Sequence, residues 1–249
     1  MKTRVSIINY SNTIPFTYGL LNSRNLQNLA DFSFGYPAQV ARMLAKDEVD
    51  LSIISVAAIP WIPNSQIISK YCISATQKVD SVLLCSNKPI ESVDTITLDY
   101  QSRTSNVLVQ ILARDAWHIS PKYEMGTVGY ELREDSSAKV MIGDRALLNA
   151  SRFKYVYDLA NEWNKAFGLP FVFAAWVANK PLSSDFIAEF EAACEFGVNH
   201  IDEAIQSTNQ AFSFDIRNYL YNSVEFNMTA EKKQAMNLYF EKGKELGLF

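Results

Sequence analysis

The chain has 249 residues, of which 48% are hydrophobic and 20% are charged, and its formal net charge is -4 at pH 7. This composition predicts an ordinary globular protein with a core large enough for two lobes. The net charge and the lack of a Lys/Arg block argue against a nucleic-acid partner. No apolar run approaches the roughly 18 to 20 residues of a membrane span, and the N-terminus enters a strand pattern directly. We therefore expect neither a membrane segment nor a signal peptide.

The cysteines carry information about the compartment. Cys72, Cys85 and Cys194 are odd in number, lack metal-type spacing and lie in apolar surroundings. These features predict reduced core residues, which are typical of a cytoplasmic protein.

Strand-like and helix-like segments alternate through the first part of the chain. Strands are predicted at residues 4–9, 31–35, 50–55 and 80–85, and helices at residues 14–22 and 38–46. This alternation is typical of an α/β protein with mainly parallel sheets.

A second series of elements begins after Asn87-Lys88-Pro89. Strands are predicted at residues 95–99, 139–142 and 155–158, with a helix after Ser102. The apolar run of residues 171–178 would carry the chain back to the first lobe, and from Ser184 onward almost everything has a helical pattern. We therefore predict a discontinuous first lobe of residues 1–88 and 178–249, which includes the helical tail, and a second lobe of residues 89–177. Such a chain forms a clamshell with a ligand cleft between its lobes.

The stretch from Thr95 to Asn106 has the composition of an anion-binding site. Its β-branched run ends in a hydroxyl cluster, Ser102, Thr104 and Ser105, directly before a helical pattern. Hydroxyls and unpaired amide groups thus meet at a helix N-terminus, which favours a carboxylate or a phosphate. The alternative is that Ser102 or Thr104 only caps the helix.

Other polar residues also follow or precede predicted strands and are expected to face the cleft. Asn12 follows the first strand, and its amide can donate to and accept from a ligand or cap the next helix. Ser55 occupies a second strand-to-helix corner, where capping is the alternative, and Ser81 opens an apolar strand beside the cleft or a neighbouring backbone. Asp144 is a further candidate ligand contact. Because its negative charge would oppose an anionic ligand, the favoured prediction is that it caps the helix that follows. Arg145 would pair with Asp144 or with the ligand.

In their order and spacing, these segments resemble the chorismate dehydratase family of the futalosine route of menaquinone biosynthesis. The resemblance covers about the first 180 residues. The segments that carry it are Asn9-Tyr10-Ser11-Asn12-Thr13-Ile14-Pro15, Val79-Asp80-Ser81-Val82-Leu83-Leu84, Leu98-Asp99 with Ser102-Arg103-Thr104-Ser105, Met141-Ile142-Gly143-Asp144-Arg145-Ala146-Leu147, Asp158-Leu159 with Trp163, and Gly168-Leu169-Pro170-Phe171.

The resemblance implies a fold like the type 2 periplasmic binding proteins, used in the cytoplasm by an enzyme. The family converts chorismate, a small dicarboxylate, to 3-[(1-carboxyvinyl)oxy]benzoate by loss of water, without a metal or an organic cofactor. By position, Asn12 and Ser81 match the family's active-site Asn and Ser. Ser55, Thr104 and Ser105 match positions that hold the ligand carboxylates.

This chain departs from the family pattern at two positions. Ser11 replaces a common Leu, and Gln77 replaces a small residue near the cleft; either change would alter the pocket. The sister enzyme, which acts later in the route, has a Pro-Asn-Asp motif near its N-terminus that this chain lacks, and this favours the dehydratase.

The motifs contain no His or Glu that would act as a base. His118 and His200 are the only histidines, and surface or packing roles are expected for both. We therefore hypothesise that the substrate's own enolpyruvyl carboxylate removes the ring proton. Asn12 and Ser81 would hold this carboxylate over the ring and assist the leaving hydroxyl. The alternative function is a cytoplasmic clamshell protein that binds a small dicarboxylate without catalysis. The sequence does not decide the oligomeric state.

Overall fold

The computed structural model describes residues 2–249, and these residues form two compact units. The first unit comprises the chain up to Ser74 and Val172–Thr229, and the second comprises Ala75–Phe171 and Ala230–Phe249. In chain order, the elements are β1 (Thr3–Ile8), α1 (Ile14–Asn22), α2 (Arg24–Leu29), β2 (Ala30–Gly35), α3 (Pro37–Ala45), β3 (Leu51–Ser55), β4 (Gln66–Ala75), β5 (Val82–Ser86), β6 (Thr95–Leu98), α4 (Arg103–Asp115), β7 (Lys122–Met125), β8 (Ala138–Ile142), α5 (Gly143–Asn149), β9 (Tyr155–Asp158), α6 (Leu159–Phe167), β10 (Phe171–Ala178), α7 (Ser184–Asn199), α8 (Ile201–Ser207), α9 (Ile216–Asn218), β11 (Glu225–Asn227) and α10 (Ala230–Glu245).

Each unit is built around one sheet. Within residues 2–249, the strand order of the first sheet is β11-β4-β10-β3-β1-β2 and that of the second is β7-β6-β8-β5-β9. In the first sheet β1 is parallel to β2 and β3, and in the second β6 is parallel to β7 and β8. The prediction of an α/β chain with two sheets is therefore confirmed.

Both sheets are mixed rather than mainly parallel. As predicted, the apolar run of residues 171–178 returns the chain to the first sheet, where it forms β10. This strand is antiparallel to β3, whereas mainly parallel sheets were predicted. In the second sheet β5 lies between β8 and β9 and is antiparallel to both. The return of the chain thus accounts for the antiparallel pairing of β10 with β3, and β11 is also antiparallel to β4.

The predicted helical tail is divided between the two units. Helices α7 and α8 belong to the first unit, whereas α10 packs on the second, so the boundaries differ from the predicted ones at residues 88 and 178. The reason is the apolar face of α10: the ring of Tyr239 lies 5.3 Å from that of Phe171 and 6.4 Å from that of Trp163. The buried Tyr239 hydroxyl also donates to the Thr104 carbonyl at 3.1 Å.

Ionic contacts at the end of α4 also hold α10 in place. The Asp115 carboxylate lies 2.6 Å from the Lys242 ammonium and 2.9 Å from the Arg114 guanidinium. Hydrogen bonds from Arg114 and then Lys242 lower the pKa of Asp115 to about 2.

This low pKa predicts a stability that depends on pH. Because the folded pKa lies below the unfolded one, the stabilisation is present above about pH 4 and is lost as the pH falls toward about 2. We expect Asp115→Asn to lower the free energy of unfolding by about 2 kcal/mol at pH 7, with a difference from wild type that shrinks across that acid range. Urea unfolding at a series of pH values measures this, and a difference that stays constant down to the lowest pH would contradict the prediction.

The cysteine prediction is confirmed, since Cys72, Cys85 and Cys194 are all buried and free. Among the helices formed by residues 2–249, none is long and apolar enough to cross a membrane.

Candidate functional site

The corner after β1 in the first unit is fixed by Thr13. The peptide N–H of Thr13 donates to the Tyr10 carbonyl at 3.0 Å, and its buried hydroxyl donates to the Ile8 carbonyl at 2.6 Å. Residues Ser11–Thr13 thereby form a 3-10 turn that leads into α1. Asn12 lies at the centre of this turn and is half-buried.

Asn12 is not used as a helix cap. The N-cap of α1 is Thr13, which makes no side-chain capping bond. The Asn12 amide makes no hydrogen bond to any residue of the described chain, 2–249. The capping alternative for Asn12 is therefore wrong, and both hydrogen-bonding ends of its amide are available to a ligand.

Ser55 occupies the equivalent corner after β3. It is the N-cap residue of the 3-10 helix Val56–Trp61, yet its half-buried side chain makes no capping hydrogen bond. Because β1 and β3 are neighbouring parallel strands, the corners that follow them lie at the same edge of the sheet. The first unit thus brings Asn12 and Ser55 to one sheet edge, and their contact with a ligand stays a prediction.

A contact between two glycines fixes the helix that follows Asn12. A Cβ atom on Gly19 of α1 would lie 1.9 Å from the Ala193 carbonyl oxygen, and one on Gly197 of α7 would lie 1.9 Å from the Pro15 carbonyl oxygen. Only glycine permits this approach of two helix backbones. The start of α1, and with it the Asn12 turn, is therefore held against α7.

In the second unit, Ser81 lies directly before β5 and is only 1% exposed. Its carbonyl accepts a hydrogen bond at 2.7 Å from the peptide N–H of Gly143, the first residue of α5. The segment with Ser81 and the start of α5 are thus neighbours in the second unit.

A single carboxylate supports the residues before Ser81. One oxygen of Asp158 accepts from the peptide N–H groups of Val79 at 2.9 Å and Asp80 at 2.7 Å. The other oxygen accepts from the first turn of α6, at 3.0 and 3.2 Å. Burial raises the pKa of Asp158 to about 6, although these hydrogen bonds favour the ionised form.

The predicted anion site at the start of α4 is a capped helix terminus. The Ser102 hydroxyl accepts from the Ser105 peptide N–H at 3.1 Å and lies 2.7 Å from the Ser105 hydroxyl. The capping role of Ser102 is thereby confirmed. Thr104 and Ser105 lie in the first turn and are 2% and 1% exposed. The structure brings the three hydroxyl residues together, and their contact with a ligand stays a prediction.

A buried polar network beneath this terminus was not predicted. The Asn106 side chain bonds both the peptide N–H and the carbonyl of Asp99, at 2.9 and 2.8 Å. The fully buried Asp99 carboxylate accepts from the Tyr130 hydroxyl at 2.8 Å and from Arg145 at 2.8 and 3.0 Å. Burial, followed by the charge of Asp99, holds the pKa of Tyr130 far above its usual range. These residues anchor the loop between β6 and α4.

The predicted capping by Asp144 and the predicted pairing of Arg145 with Asp144 are wrong, whereas a contact of Arg145 with a ligand stays a prediction. The N-cap of α5 is Ile142, and Asp144 lies within the first turn, where the helix dipole favours its negative charge. Arg145 pairs with Asp99, because the buried carboxylate requires a cation, and its guanidinium also lies 3.7 Å from Glu131.

Two α/β units with helices that follow the carboxyl ends of the strands define a periplasmic-binding-protein-like fold. A crystal structure of a protein from Archaeoglobus fulgidus has a TM-score of 0.74 at 17% identity and covers 100% of this chain and 98% of its own. The alkanesulfonate-binding protein of Xanthomonas axonopodis pv. citri has a TM-score of 0.65 at 11% identity, with 97% and 93% covered. These likenesses establish the fold.

The chain belongs to the menaquinone biosynthesis family, which it matches over residues 3–245. It is 24% identical to the chorismate dehydratase of Thermus thermophilus across 84% of this chain and 88% of that protein. It is 25% identical to the chorismate dehydratase of Campylobacter jejuni across 97% of each chain. The family resemblance inferred from the motifs is therefore confirmed.

Proposed function

We propose that this chain is a chorismate dehydratase, which converts chorismate to 3-[(1-carboxyvinyl)oxy]benzoate and water. The observation that carries the proposal is its family membership over residues 3–245, together with two relatives of that name that align along nearly their whole length. A structural observation also supports the proposal: the Asn12 amide makes no hydrogen bond within residues 2–249 and is available to a ligand.

The reaction makes modest demands on the protein. A ring C–H bond and the neighbouring C–OH bond break, a C=C bond forms, and the ring becomes aromatic while water leaves with the proton. Because aromatisation drives the elimination, the enzyme mainly has to hold the substrate in a reactive geometry. Donors on the ring carboxylate would stabilise the carbanion-like state that precedes loss of the hydroxyl.

Ser55, Thr104 and Ser105 are proposed to bind the two carboxylates of chorismate. The start of α4, capped by Ser102, adds its peptide N–H groups, and a helix terminus contributes about 0.3 to 1 kcal/mol to an exposed anion and up to about 2 kcal/mol to a partly buried one. Several hydrogen-bond donors must therefore converge on each carboxylate of the substrate. Asp144 would repel a carboxylate, so the only substrate group that we assign to it is the neutral ring hydroxyl.

The base is proposed to be the enolpyruvyl carboxylate of chorismate itself. Asn12 and Ser81 would orient this group over the ring and assist the departing hydroxyl. Both histidines are engaged elsewhere: His118 is exposed beside the Arg114 carbonyl at 3.1 Å, and His200 stacks on Phe196 at 4.1 Å. These contacts support a reaction without a histidine base.

The proposal includes a cytoplasmic site of action and a small-molecule substrate as the partner. Three free, buried cysteines suit a reducing compartment. The acidic net charge of -4 speaks against nucleic acid as a partner.

Incubation of the purified, metal-free protein with chorismate tests the proposed function. Mass spectrometry is expected to find an enzyme-dependent product that is lighter by one water and matches the carboxyvinyl-oxybenzoate. Heat-denatured protein serves as the control for spontaneous decay of chorismate. Recovery of unchanged chorismate, combined with thermal stabilisation of the protein, would instead favour the dicarboxylate-binding alternative.

A further inference from the structure

Asp158 connects two segments of the second unit that are far apart in sequence. It lies at the end of β9, opposite Leu83 of β5, so its carboxylate reaches the residues that precede β5. One oxygen accepts from the peptide N–H groups of Val79 and Asp80, and the other caps α6. Each oxygen thus serves a different segment.

The segment before Ser81 needs such support. Asp80 has a φ of 58°, a left-handed conformation that costs a non-glycine residue roughly 1 kcal/mol or more. The two N–H bonds to Asp158 hold the backbone in this conformation one residue before Ser81. The carbonyl of Ser81 is fixed on its other side by Gly143. The position of the Ser81 hydroxyl therefore depends on the Asp158 carboxylate.

We propose that Asp158 is a positioning residue that holds Ser81 in its working orientation, an inference that rests on the proposed function. Asp158 itself touches no reacting atom in this account. It acts through the peptide groups of Val79 and Asp80, and its capping of α6 is a separate, structural role.

The variant Asp158→Ser separates these two roles. A serine hydroxyl is a favoured N-cap and preserves the first turn of α6, but it removes the oxygen that accepts from Val79 and Asp80. We expect kcat for chorismate to fall by about ten- to a hundredfold, with KM within about threefold of wild type, because a small misplacement of an active group has this effect. Should Asp158→Ser fail to fold, Asp158→Thr also supplies a favoured N-cap hydroxyl without the second oxygen and carries the same expectation.

Asp115→Asn is the matched control in the same unit. It also replaces a half-buried aspartate that accepts several hydrogen bonds, but its partners are Arg114 and Lys242. It is expected to destabilise the protein while leaving kcat per folded molecule unchanged. A similar fall of kcat in both variants would assign the effect to general destabilisation and overturn the inference.

A double-mutant cycle with Ser81→Ala identifies the residue through which Asp158 acts. If Asp158 works through Ser81, Asp158→Ser should change kcat by less than about twofold once the Ser81 hydroxyl is gone. Independent, multiplicative effects would overturn the inference, and so would wild-type kcat in Asp158→Ser alone. Turnover by the wild-type protein is measured first: its absence would overturn the proposed function and this inference with it, whereas an active wild type with an equally active Asp158→Ser would overturn this inference alone.

Discussion

Replacement of Asn12 by alanine is expected to lower kcat for chorismate by about a hundredfold or more. A single preorganised donor to a developing charge is worth about two to three orders of magnitude in kcat. The fold should be little affected, because the Asn12 amide makes no hydrogen bond within residues 2–249. The free energy of unfolding of Asn12→Ala should therefore remain within about 0.5 kcal/mol of the wild-type value. Initial-rate kinetics combined with urea unfolding of the same preparation measures both quantities.

Asn22→Ala is the matched control for this substitution. Asn22 ends α1, the helix that follows the Asn12 turn. It is exposed, and within residues 2–249 its side chain donates only to the Tyr18 carbonyl, at 2.8 Å. Its removal should leave kcat unchanged. Near-wild-type turnover by Asn12→Ala would refute the active-site assignment of Asn12 and, with it, the proposed orientation of the substrate carboxylate.

The elements with clear apolar periodicity were predicted from the sequence. The predicted bounds of α1, β9 and β10 coincide with the observed Ile14–Asn22, Tyr155–Asp158 and Phe171–Ala178. In α1 the buried Phe16 and Leu20 have helical spacing, and nearly all of β10 is buried. For such segments, the local pattern of apolar residues is sufficient to predict the secondary structure.

Strands without such a pattern were missed. The first three residues of β4 are exposed or half-buried, and its buried Ser74 is polar, with a hydroxyl that donates to the distant Glu225 carbonyl at 2.7 Å. All four residues of β7 are exposed, so pairing with β6 and not burial makes this segment a strand. Pairing with a distant partner leaves no periodic signal in a single sequence.

The same distinction applies to the site. The corners with Asn12, Ser55 and Ser102 were predictable because polar residues directly follow or cap local elements. The bonds that support them were not, since Arg145 reaches Asp99 across 46 positions and Asp158 reaches Val79 across 79. Local sequence also could not separate capping from other roles: Ser102 caps its helix, whereas Asp144 does not.

Replacement of Arg145 by methionine is expected to lower the free energy of unfolding of the second unit by about 3 to 5 kcal/mol. The Asp99 side chain is fully buried and Arg145 is the cation that contacts it, at 2.8 Å. Removal of one partner of a buried ion pair leaves an uncompensated buried charge, which has a cost of this size. Urea unfolding of wild type and Arg145→Met measures it, and a loss below about 1 kcal/mol would contradict the prediction.

The double variant Arg145→Met with Asp99→Asn separates charge from geometry. It removes both charges, and we expect it to regain much of the stability that Arg145→Met loses, because replacement of a whole buried pair costs far less than removal of one member. The side-chain bonds of Asn106 to the Asp99 backbone persist in this variant, so the start of α4 should keep its shape.

The KM for chorismate tests whether the start of α4 binds a substrate carboxylate. If it does, KM should rise in Arg145→Met, where the loop between β6 and α4 is disturbed, and return toward the wild-type value in the double variant. Recovery of stability without recovery of KM would mean that Arg145 itself contributes to substrate binding.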